Sequence, residues 1–469
     1  MQRIAIIGGG AAGSAVVAQF LRNAADYDYT TGCALSWIIG ERAPGRGIAY
    51  ETGDEQHLLN VRAANMGLFA DRPGDFLDYA AAHGVAASGG QFLPRSIYGD
   101  YLEATLANLL TTTRRRVTLA ARSSEAIAIQ PLADASFRIQ TRSGEDLRAD
   151  GVVLALGALP PATLPGVSAA ALASGAYAND PWAWPALPRA PAHVLVIGTG
   201  LTGIDTLLSA AARWPQARLT AVSRRGRLPA LHSEHPLSAY AQQADLVERL
   251  RHISHLGDWL REVRAAAAST DADWRAVLDA VRAETPRFWH RLDNVQRARF
   301  LRHLRSTWEV VRHRLPPQTA AKIRALQESG RLQILAARVR GIDAVDGQLQ
   351  AQLQARGAAS PLSIDADFVV QATGLESAAQ TTPHALVRQL VDSGIVAADA
   401  LGLGLAAHPD GRLLRPDGSA RRGLYAIGTL LRGTLWECTG MPEIRSLAQA
   451  IARDLPQALQ PLPREAALA

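Results

Sequence analysis

Short apolar runs that lead into glycine recur along the chain. Residues 4–7, 152–156, 194–197 and 368–370 are such runs, and a glycine follows each within a few residues. Continuous apolar runs of this length are typical of strands that are buried on both faces of a parallel sheet. Small, helix-compatible residues follow the first run over 14–21 and the third run as far as about 213. The pattern predicts repeated strand–turn–helix units and therefore an α/β fold.

Other stretches have different periodicities. Short strands are predicted at 117–119, 126–129, 137–140, 151–156, 332–335, 339–342 and 349–353. Residues 43–100 are rich in turn-forming residues and are predicted to be mostly loops. Leu246, Leu250, Ile253 and Leu260 share one helical face, so residues 237–328 are predicted to be a mainly helical insertion.

These elements predict a discontinuous arrangement of domains. We expect a first domain from residues 1–160, completed by residues 365–469 at the end of the chain. A second domain is expected from residues 161–236 together with 329–364. Residues 237–328 interrupt the second domain and are expected to form a cap or lid.

The first apolar run ends in a G-x-G-x-x-G turn formed by Gly8, Gly10 and Gly13. In this context the first glycine permits a tight turn, the second lets a pyrophosphate approach the backbone, and the third lets helix and strand pack closely. Phosphates then face the free N–H groups at the helix start. Glu41, after the next apolar run, is placed to accept hydrogen bonds from ribose hydroxyls. The alternative is a glycine-rich turn that binds nothing.

The third apolar run ends in a second turn of the same kind, formed by Gly198, Gly200 and Gly203. The strand after it, at 219–222, ends in Ser223-Arg224-Arg225 and not in an acid. Arginines at this position can bind a 2′-phosphate, which favours NADPH over NADH. The alternative is a solvated basic turn. The two turns together predict two Rossmann-like dinucleotide-binding domains.

Composition narrows the class of protein. The 469 residues are 48% apolar and 20% charged, which is an ordinary globular balance. The formal charge of +6 comes almost entirely from arginine, since Lys322 is the only lysine. The basic residues are scattered and form no dense tract with aromatic residues between them, so we expect no nucleic-acid partner.

The cysteine count and the hydropathy pattern bear on location. Cys33 and Cys438 are the only cysteines, so a disulfide framework and a C-x-x-C redox centre are both absent from the sequence. A cytoplasmic setting is the expectation. Every run of about 20 apolar residues is broken by glycine, proline or charge, so no membrane span is expected. His232 and His235 have metal-like spacing but no further ligand set nearby, and no metal is expected.

The paired glycine turns, each followed later by a strand that runs into glycine (Gly157 and Gly374), resemble the two-dinucleotide-domain flavoproteins. The motifs Gly47-Ile48-Ala49-Tyr50, Leu59-Asn60-Val61, Tyr98-Gly99, Ser223-Arg224-Arg225-Gly226, Arg312-His313-Arg314 and Trp436-Glu437…Pro442-Glu443-Ile444-Arg445 are similar to those of YdhS-like FAD/NAD(P)-binding proteins. That group is similar in turn to bacterial FAD-dependent urate hydroxylases and includes N-hydroxylating monooxygenases.

The resemblance implies FAD in the first site and NADPH or NADH in the second. The implied FAD contacts are Gly8, Gly10, Ala11, Ala12, Gly13, Glu41, Arg42, Gly47, Asn60, Val61, Gly157, Gly428, Thr429 and Pro442. The implied NAD(P)H contacts are Gly198, Gly200, Leu201, Thr202, Gly203, Ser223, Arg224 and Arg225. Two departures stand out. Thr429 occupies the place where many flavoproteins have an aspartate, and the connector lacks the F-x-G-x-x-x-H fingerprint of Baeyer–Villiger enzymes.

The resemblance also implies a reaction. We expect a FAD-dependent, NAD(P)H-consuming monooxygenase that uses O2 to hydroxylate a small nitrogen-containing molecule, with conversion of urate to 5-hydroxyisourate as the leading substrate hypothesis. The alternatives are an amino-acid N-hydroxylase, a flavin reductase or electron-transfer protein, and a non-catalytic flavin-binding sensor.

The sequence assigns no catalytic residue and leaves the oligomeric state open. Possible substrate contacts are Arg62, Arg95, Tyr98, His232, His235 and Trp436. The arginines could instead touch FAD phosphates, and the two histidines could simply flank a proline turn.

Overall fold

The computed structural model of the chain describes residues 1–23, 32–112, 117–269 and 273–460. Its strands, numbered along the chain, are β1 (Gln2–Ile7), β2 (Cys33–Ile38), β3 (Val117–Arg122), β4 (Ala126–Pro131), β5 (Phe137–Thr141), β6 (Asp146–Ala149), β7 (Gly151–Leu154), β8 (Tyr177–Ala178), β9 (His193–Ile197), β10 (Arg218–Ser223), β11 (Leu332–Val345), β12 (Gln348–Ala355), β13 (Leu362–Ala366), β14 (Phe368–Gln371), β15 (Arg412–Leu414) and β16 (Ala420–Ala426).

The helices are numbered in the same way. They are α1 (Ala11–Asn23), α2 (Gly47–Tyr50), α3 (Asp75–Ala82), α4 (Arg95–Thr112), α5 (Ala169–Ala173), α6 (Leu201–Arg213), α7 (Gln243–Arg251), α8 (Leu256–Ala267), α9 (Trp274–Arg291), α10 (Asn294–His303), α11 (Arg305–Arg312), α12 (Pro317–Glu328), α13 (Ala385–Asp392), α14 (Arg432–Leu435) and α15 (Met441–Ala458). Single 3-10 turns lie at Ala63–Asn65 and Thr429–Leu431.

The first sheet has the strand order β15-β16-β7-β1-β2-β3. All its neighbours run parallel except β15 and β16, and β1 pairs with β2 in the register Ile4↔Leu35. Apolar residues of β1 are buried alternately in cores on the two faces of this sheet, and α1 packs on one of these faces, as the continuous apolar run predicts. A separate antiparallel meander, β4-β5-β6, leads into β7.

The second sheet has the strand order β13-β12-β11-β10-β9-β14-β8. Its β11-β10-β9-β14-β8 part is parallel, and β12 and β13 extend it as antiparallel strands. The predicted α/β fold with two Rossmann-like domains is confirmed. Two predicted strands, 332–335 and 339–342, are one long strand, because β11 continues through a bulge between Val339 and Gly341. The second sheet also continues to Gln371, beyond the boundary predicted at residue 365.

The two sheets repeat one local structure around their glycine turns. Gly8 and Gly198 have positive φ angles of 124° and 127°. A Cβ atom at Gly8 would lie 2.2 Å from the Ala155 carbonyl oxygen, and one at Gly198 would lie 2.0 Å from that of Ala372. Backbone from β7 or β14 therefore crosses directly over each turn, and only glycine fits both the angle and the contact.

The region predicted to be loops contains one long helix. Helix α4 begins at Arg95 and buries Tyr98, Tyr101 and Leu102. Its buried residues include two tyrosines and a glycine, so the apolar periodicity that usually predicts a helix is weak here. Tertiary packing against α1 and α3 stabilises α4 instead.

The region predicted to be an insertion is helical, as expected, and contains α7 to α12. The last of these, α12, packs on the second sheet and not with the other five helices. The apolar core of the insertion is unusually aromatic and includes Trp289, Phe300 and Trp308, together with Trp436 from the loop after α14. The insertion therefore shares its core with the carboxyl-terminal part of the first domain. Within the described residues, the helices are all too short or too polar to cross a bilayer.

Candidate dinucleotide and substrate sites

The first glycine turn connects β1 to α1. The indole N–H of Trp37 on β2 donates to the Gly8 carbonyl oxygen at 2.9 Å, which fixes the turn against the sheet. A Cβ atom at Gly13 would lie 2.0 Å from that same carbonyl oxygen, so the helix starts as close to the strand as glycine permits. The N–H groups of the first turn of α1 have no hydrogen-bond partner within the helix, and the positive end of the helix dipole lies at this point.

Two further glycines border this turn. Gly45 donates its backbone N–H to the Gly9 carbonyl oxygen at 2.8 Å. Gly47 has a φ of 56°, and its Cβ atom would lie 2.8 Å from the Cα of Gly10. Gly428, which follows β16, is also close to the turn, since a Cβ atom there would lie 3.9 Å from the Cβ of Ala12. The predicted FAD contacts Gly10, Ala12, Gly47 and Gly428 are therefore brought together around the start of α1.

The remaining predicted FAD contacts lie on the loops around this centre. Glu41 is exposed just beyond β2, whereas the guanidinium of Arg42 pairs with Glu51. The Asn60 carbonyl oxygen accepts a hydrogen bond from His232 at 3.0 Å. Val61 packs on the apolar core between the first sheet and α1. The other three contacts mark chain turns: Gly157 with a φ of 68°, Thr429 in a 3-10 turn, and Pro442 in the first turn of α15.

These residues fit a dinucleotide such as FAD. The turn has no side chain at Gly10, where the nearest atom to an added Cβ would be 3.5 Å away, so the backbone is open to a pyrophosphate. The helix start supplies N–H donors and Glu41 supplies an acceptor for ribose hydroxyls. A second helix start, at α15, can face the flavin edge that becomes negative on reduction.

The second glycine turn connects β9 to α6 and is built in the same way. A Cβ atom at Gly203 would lie 2.3 Å from the Gly198 carbonyl oxygen. Gly200 has an extended backbone, and an added Cβ would meet no atom within 4 Å. Leu201 and Thr202 begin α6 directly after it. Space for a phosphate is therefore present at this helix start as well.

Hydrogen bonds hold this turn to the basic segment after β10. The Thr199 and Ser223 hydroxyl groups are hydrogen-bonded at 2.8 Å, and the Gly226 N–H donates to Ser223 Oγ at 3.1 Å. Ser223 therefore positions the segment. Arg224 and Arg225 are exposed, and Arg225 has a weak contact of 3.4 Å with the Thr307 hydroxyl. Both guanidinium groups are available to an anion beside the second helix start.

Replacing Arg224 and Arg225 together by alanine is expected to change coenzyme preference. The kcat/KM for NADPH should fall about 10- to 100-fold, because charge-assisted hydrogen bonds to a 2′-phosphate are lost, while that for NADH should change less than about threefold. Steady-state rates with both coenzymes measure this. Arg261→Ala, at an exposed arginine on α8, is the control. Equal losses with NADPH and NADH would contradict the 2′-phosphate assignment.

Two of the predicted substrate contacts connect parts of the chain. Arg95 forms an ion pair of 2.8 Å with Asp205 on α6; the Asp205 side chain is buried and that of Arg95 is half-buried. Arg62 donates to the carbonyl oxygens of Gly90 and Ser233 and lies over the Phe92 ring at 4.9 Å. These contacts fix the first domain to the second domain and to the loop that carries His232. Both guanidinium groups are thus engaged within the protein.

The other four predicted substrate contacts are divided among three places. The Tyr98 hydroxyl is buried beside Tyr50 in the apolar core between the first sheet and α1, and it has no hydrogen-bond partner among the described residues. Trp436 lies in the core of the insertion and stacks on Trp289 at a ring distance of 4.8 Å. His232 is beside Asn60 and packs against Phe92 at 4.7 Å. His235 contributes its carbonyl oxygen to Arg62. The structure therefore brings His232, Arg62 and Asn60 together, and it places Tyr98 and Trp436 elsewhere.

His232 provides a test by pH. Burial, and then the nearby charge of Arg314, lower the pKa of His232 to about 3, so the folded protein excludes a proton that the unfolded chain binds below about pH 6.5. The free energy of unfolding should fall by about 1–2 kcal/mol more in the wild type than in His232→Gln between about pH 7 and pH 5. Urea unfolding at several pH values measures it.

The exchange preserves a donor, since a glutamine amide can still donate to the Asn60 carbonyl oxygen. His303→Gln, an exchange at an exposed histidine, is the control for removing a histidine as such. Parallel pH profiles for the wild type and His232→Gln would show that His232 is not held neutral.

A cluster of charged residues, of which Arg314 and Glu437 are buried and Asp279 is exposed, lies where the insertion meets the start of α15. We call it the arginine junction; it consists of Arg282, Arg312 and Arg314 with Asp279, Glu437 and Glu443. Arg282 donates to Glu443 at 2.6 Å, Arg312 to Glu437 at 3.0 Å, and Arg314 to Asp279. Burial opposes ionisation of Glu437, but Arg312, His313 and the Trp308 indole outweigh it and lower its pKa.

Among the described residues, the arginine junction contains buried polar atoms without a hydrogen-bond partner, including one acceptor, Glu443 Oε2. The Nε atoms of Arg282 and Arg314 are buried and have no hydrogen-bond partner among the described residues. The pKa of Arg62 is lowered first by its burial and then by the positive charge of Arg314, which is therefore close to it. The junction therefore lies between the Asn60–Arg62 loop and the start of α15, both of which are predicted to face the flavin.

Sequence reasoning assigned no role to the residues of the arginine junction. Arg312, Arg314, Glu437 and Glu443 belong to motifs that carry the resemblance, but Arg282 has no sequence signal at all. It comes from the middle of a helix with several other arginines. Only the folded structure shows which of these arginines pairs with Glu443.

Comparisons with known proteins agree with this architecture. Residues 5–159 match a protein family described as FAD-NAD(P)-binding. The chain has no significant match among curated protein sequences. The fold is that of the two-dinucleotide-binding-domain flavoproteins, which confirms that part of the resemblance.

Solved structures with this fold include enzymes of two kinds. L-lysine 6-monooxygenase from Pseudomonas syringae has a TM-score of 0.67 and 17% identity, covering 98% of this chain and 100% of that one. An ornithine N-hydroxylase from Kutzneria sp. 744 has a TM-score of 0.63 and 15% identity, covering 97% and 99%. The bacillithiol disulfide reductase from Staphylococcus aureus has a TM-score of 0.58 and 12% identity, covering 98% and 100%.

Proposed function

We propose that this protein is a FAD-dependent, NAD(P)H-consuming monooxygenase that hydroxylates the nitrogen of a small amine carrying a carboxylate. The observation that carries the proposal is the pair of glycine turns, one in each sheet, that open onto a helix start with no side chain in the way. Similarity to a lysine monooxygenase and an ornithine hydroxylase supports the reaction class.

The cysteines separate this proposal from a disulfide reductase. Such an enzyme needs a reactive thiolate near the flavin. Burial raises the pKa of Cys33 and of Cys438 to about 12, so both stay protonated at neutral pH. They are the only cysteines in the sequence, and they lie in different cores. Oxygen is therefore the electron acceptor that we propose.

Each part of the chain has a defined task in this reaction. The first turn, with Glu41, Gly47 and Gly428, would hold FAD, and the second turn, with Arg224 and Arg225, would hold the nicotinamide coenzyme. With both bound, NAD(P)H would supply the two electrons, and the flavin would pass them to O2. The insertion and the start of α15 would cover the reaction centre and exclude water from it.

The arginine junction supports the choice of substrate class. Two buried N–H groups without partners, on Arg282 and Arg314, are costly unless a ligand accepts from them. A carboxylate is the acceptor that arginine binds best, and it would anchor the substrate with its amine free to point toward the flavin. We propose these two arginines as the carboxylate-binding pair.

Urate is the second candidate. The YdhS-like motifs and their urate hydroxylase branch suggest it, and the same arginines could bind urate because it is a monoanion at neutral pH. The two candidates differ in the reacting atom, which is an amine nitrogen in one case and a ring carbon in the other.

One substrate screen tests the proposal. The FAD-loaded protein is incubated with NADPH and, separately, with lysine, ornithine, aspartate, urate or cadaverine, while NADPH loss, peroxide and product mass are followed together. A carboxylate-bearing amine should give a product one oxygen heavier and less peroxide than the NADPH consumed. Peroxide equal to NADPH with every compound would contradict monooxygenase activity.

Cadaverine is the matched control, since it is lysine without the carboxylate. If lysine is the substrate, cadaverine should react at least about tenfold less efficiently. Arg282→Gln should raise KM for the carboxylate-bearing substrate about 10- to 100-fold, whereas Arg287→Gln, at an exposed arginine of the same helix, should not. Cadaverine that reacts as well as lysine would contradict the role of the arginines but not the reaction class.

A further inference from the structure

A loop of the first domain lies against helix α6 of the second domain. We call this loop, residues 52–57, the docking loop. His57 at its end is buried, with 4% of its surface exposed. Its ring is hydrogen-bonded to α6 and lies 5.8 Å, edge to face, from the ring of Trp182 in the segment between β8 and β9. His57 therefore contacts two separate parts of the second domain.

Four residues form a closed ring of hydrogen bonds across this contact, and we call it the interdomain ring. The Ser209 hydroxyl on α6 donates to Asp54 Oδ2 at 2.9 Å, and His57 Nε2 lies 2.9 Å from the same hydroxyl. On the other edge of the imidazole, His57 Nδ1 lies 2.8 Å from the Thr52 hydroxyl, which accepts from the backbone N–H of Asp54 at 3.2 Å. The interdomain ring thus begins and ends at Asp54.

The donors and acceptors of the interdomain ring fit together. Burial opposes ionisation of Asp54, but hydrogen bonds from Gln56 and Ser209 outweigh it and lower its pKa. A carboxylate only accepts, so the Ser209 proton goes to Asp54, and the His57 Nε2–H donates to Ser209. His57 Nδ1 then accepts from the Thr52 hydroxyl. Each hydroxyl both donates and accepts, so removing either one opens the ring.

An ion pair supports the same contact. Asp205, one turn before Ser209 on α6, pairs with Arg95 at 2.8 Å, and its carbonyl oxygen lies 3.2 Å from His57 Nε2. Arg95 in turn donates its backbone N–H to the His57 carbonyl oxygen at 2.9 Å and its Nε–H to the Leu58 carbonyl oxygen at 3.3 Å. Both the side chain and the backbone of His57 are therefore fixed relative to α6.

The docking loop and α6 each lead to one of the predicted nucleotide sites. Asn60, a predicted FAD contact, follows His57 by three residues. Helix α6 begins at Leu201, next to the second glycine turn, and Ser209 lies about 12 Å along that helix. The interdomain ring thus joins the backbone that carries part of one site to the helix that begins at the other.

We propose that the interdomain ring sets the position of the nicotinamide coenzyme relative to the flavin, with His57 and Ser209 as positioning residues for hydride transfer. In that step a hydride, two electrons with one proton, leaves the nicotinamide and joins the flavin. The inference rests on the two nucleotide sites of the proposed function, but not on its substrate or on O2. A displacement of about 1 Å can slow a reaction about 100-fold. None of the four ring residues is a predicted contact of either nucleotide, so the ring should affect transfer and not binding.

Ser209→Ala and Thr52→Val each open the interdomain ring, one from either domain. Anaerobic stopped-flow mixing of the FAD-loaded protein with NADPH gives the rate constant of flavin reduction at saturation and, separately, the Kd for NADPH. Each variant should lower the rate constant about 10- to 100-fold and change the Kd less than about threefold. The double variant should be less than about threefold slower than either single one, because a ring that is already open has no further bond of this kind to lose.

Hydrogen–deuterium exchange measures the state of the interdomain ring without any reaction. Peptides covering residues 52–60 should exchange at least about tenfold faster in both variants, since the ring holds the backbone N–H of Asp54. Ser209→Thr keeps the hydroxyl and should restore both the exchange rate and the reduction rate. Ser329→Ala, at an exposed serine of the second domain, is the control that should change neither. Thermal melting and flavin content confirm that each variant is folded.

The outcomes separate this inference from the proposed function. A wild-type reduction rate in Ser209→Ala and Thr52→Val, even with faster exchange, would overturn the inference and leave the proposed function standing. A loss of reduction that is only a rise in the Kd for NADPH would also overturn it. A wild type that NADPH reduces but that hydroxylates none of the compounds tested would contradict the proposed function alone. A wild type that neither NADPH nor NADH reduces would overturn both.

Discussion

Gly200→Ala is expected to abolish efficient use of the nicotinamide coenzyme in a protein that remains folded and retains FAD. The added methyl group meets no protein atom within 4 Å and the backbone there is extended, so the fold accommodates it. The same space is where a pyrophosphate must approach the backbone. We expect the KM for NADPH to rise on the order of 100-fold. Thermal melting, flavin content and steady-state kinetics measure the three effects separately.

Gly257→Ala is the matched control, because Gly257 on α8 also has open space around it and lies far from both turns in the sequence. That exchange should leave KM unchanged and add slightly to helix stability. If Gly200→Ala uses NADPH as well as the wild type does, the second turn is not the coenzyme site.

Gly10→Ala is expected to remove FAD and to give a colourless protein. A Cβ atom at Gly10 would lie 3.5 Å from the Gly47 Cα, an ordinary contact that the protein tolerates. The methyl group would nevertheless stand between the start of α1 and the pyrophosphate. FAD affinity should fall on the order of 100-fold, and activity should fall with the flavin content. Absorbance of the purified protein and fluorimetric titration with FAD measure the loss.

Gly74→Ala, before α3, is the control for this exchange, since an added Cβ meets nothing there either. It should purify with the same flavin content as the wild type. A yellow Gly10→Ala protein with wild-type affinity for FAD would place the flavin somewhere other than the first turn.

The glycine turns could be predicted from sequence because their chemistry is local. Gly13 and Gly203 have no room for a side chain because the carbonyl oxygens of Gly8 and Gly198 lie directly against them. Gly8 and Gly198 take the positive φ that the tight turn requires. The apolar runs before them predict buried parallel strands for the same local reason. The repeat of the whole unit then made the fold class predictable.

The arginine junction could not be predicted because its parts are distant in the sequence. Arg282 meets Glu443 across 161 positions and Arg312 meets Glu437 across 125. Nothing in the local pattern distinguishes Arg282 from Arg287, which is exposed on the same helix. The same limitation applies to Arg95, predicted as a possible substrate contact, whose partner Asp205 belongs to the other domain.

The helical insertion illustrates a further limit of periodicity. The apolar face at Leu246, Leu250 and Ile253 predicts helices with a buried side, and the helices are present. The pattern does not indicate what they pack against. Trp436, predicted as a possible substrate contact from the motif around it, packs in this core, where only the tertiary structure places it.

Anaerobic titration of the purified yellow protein with NADPH tests most directly whether the first glycine turn holds FAD while the second binds the coenzyme that reduces it. The wild type should lose its oxidised flavin absorbance at about one NADPH per flavin, and Gly200→Ala should stay yellow at the same NADPH concentration. A wild-type flavin that NADPH does not bleach, or a Gly200→Ala protein that bleaches just as readily, would contradict the account.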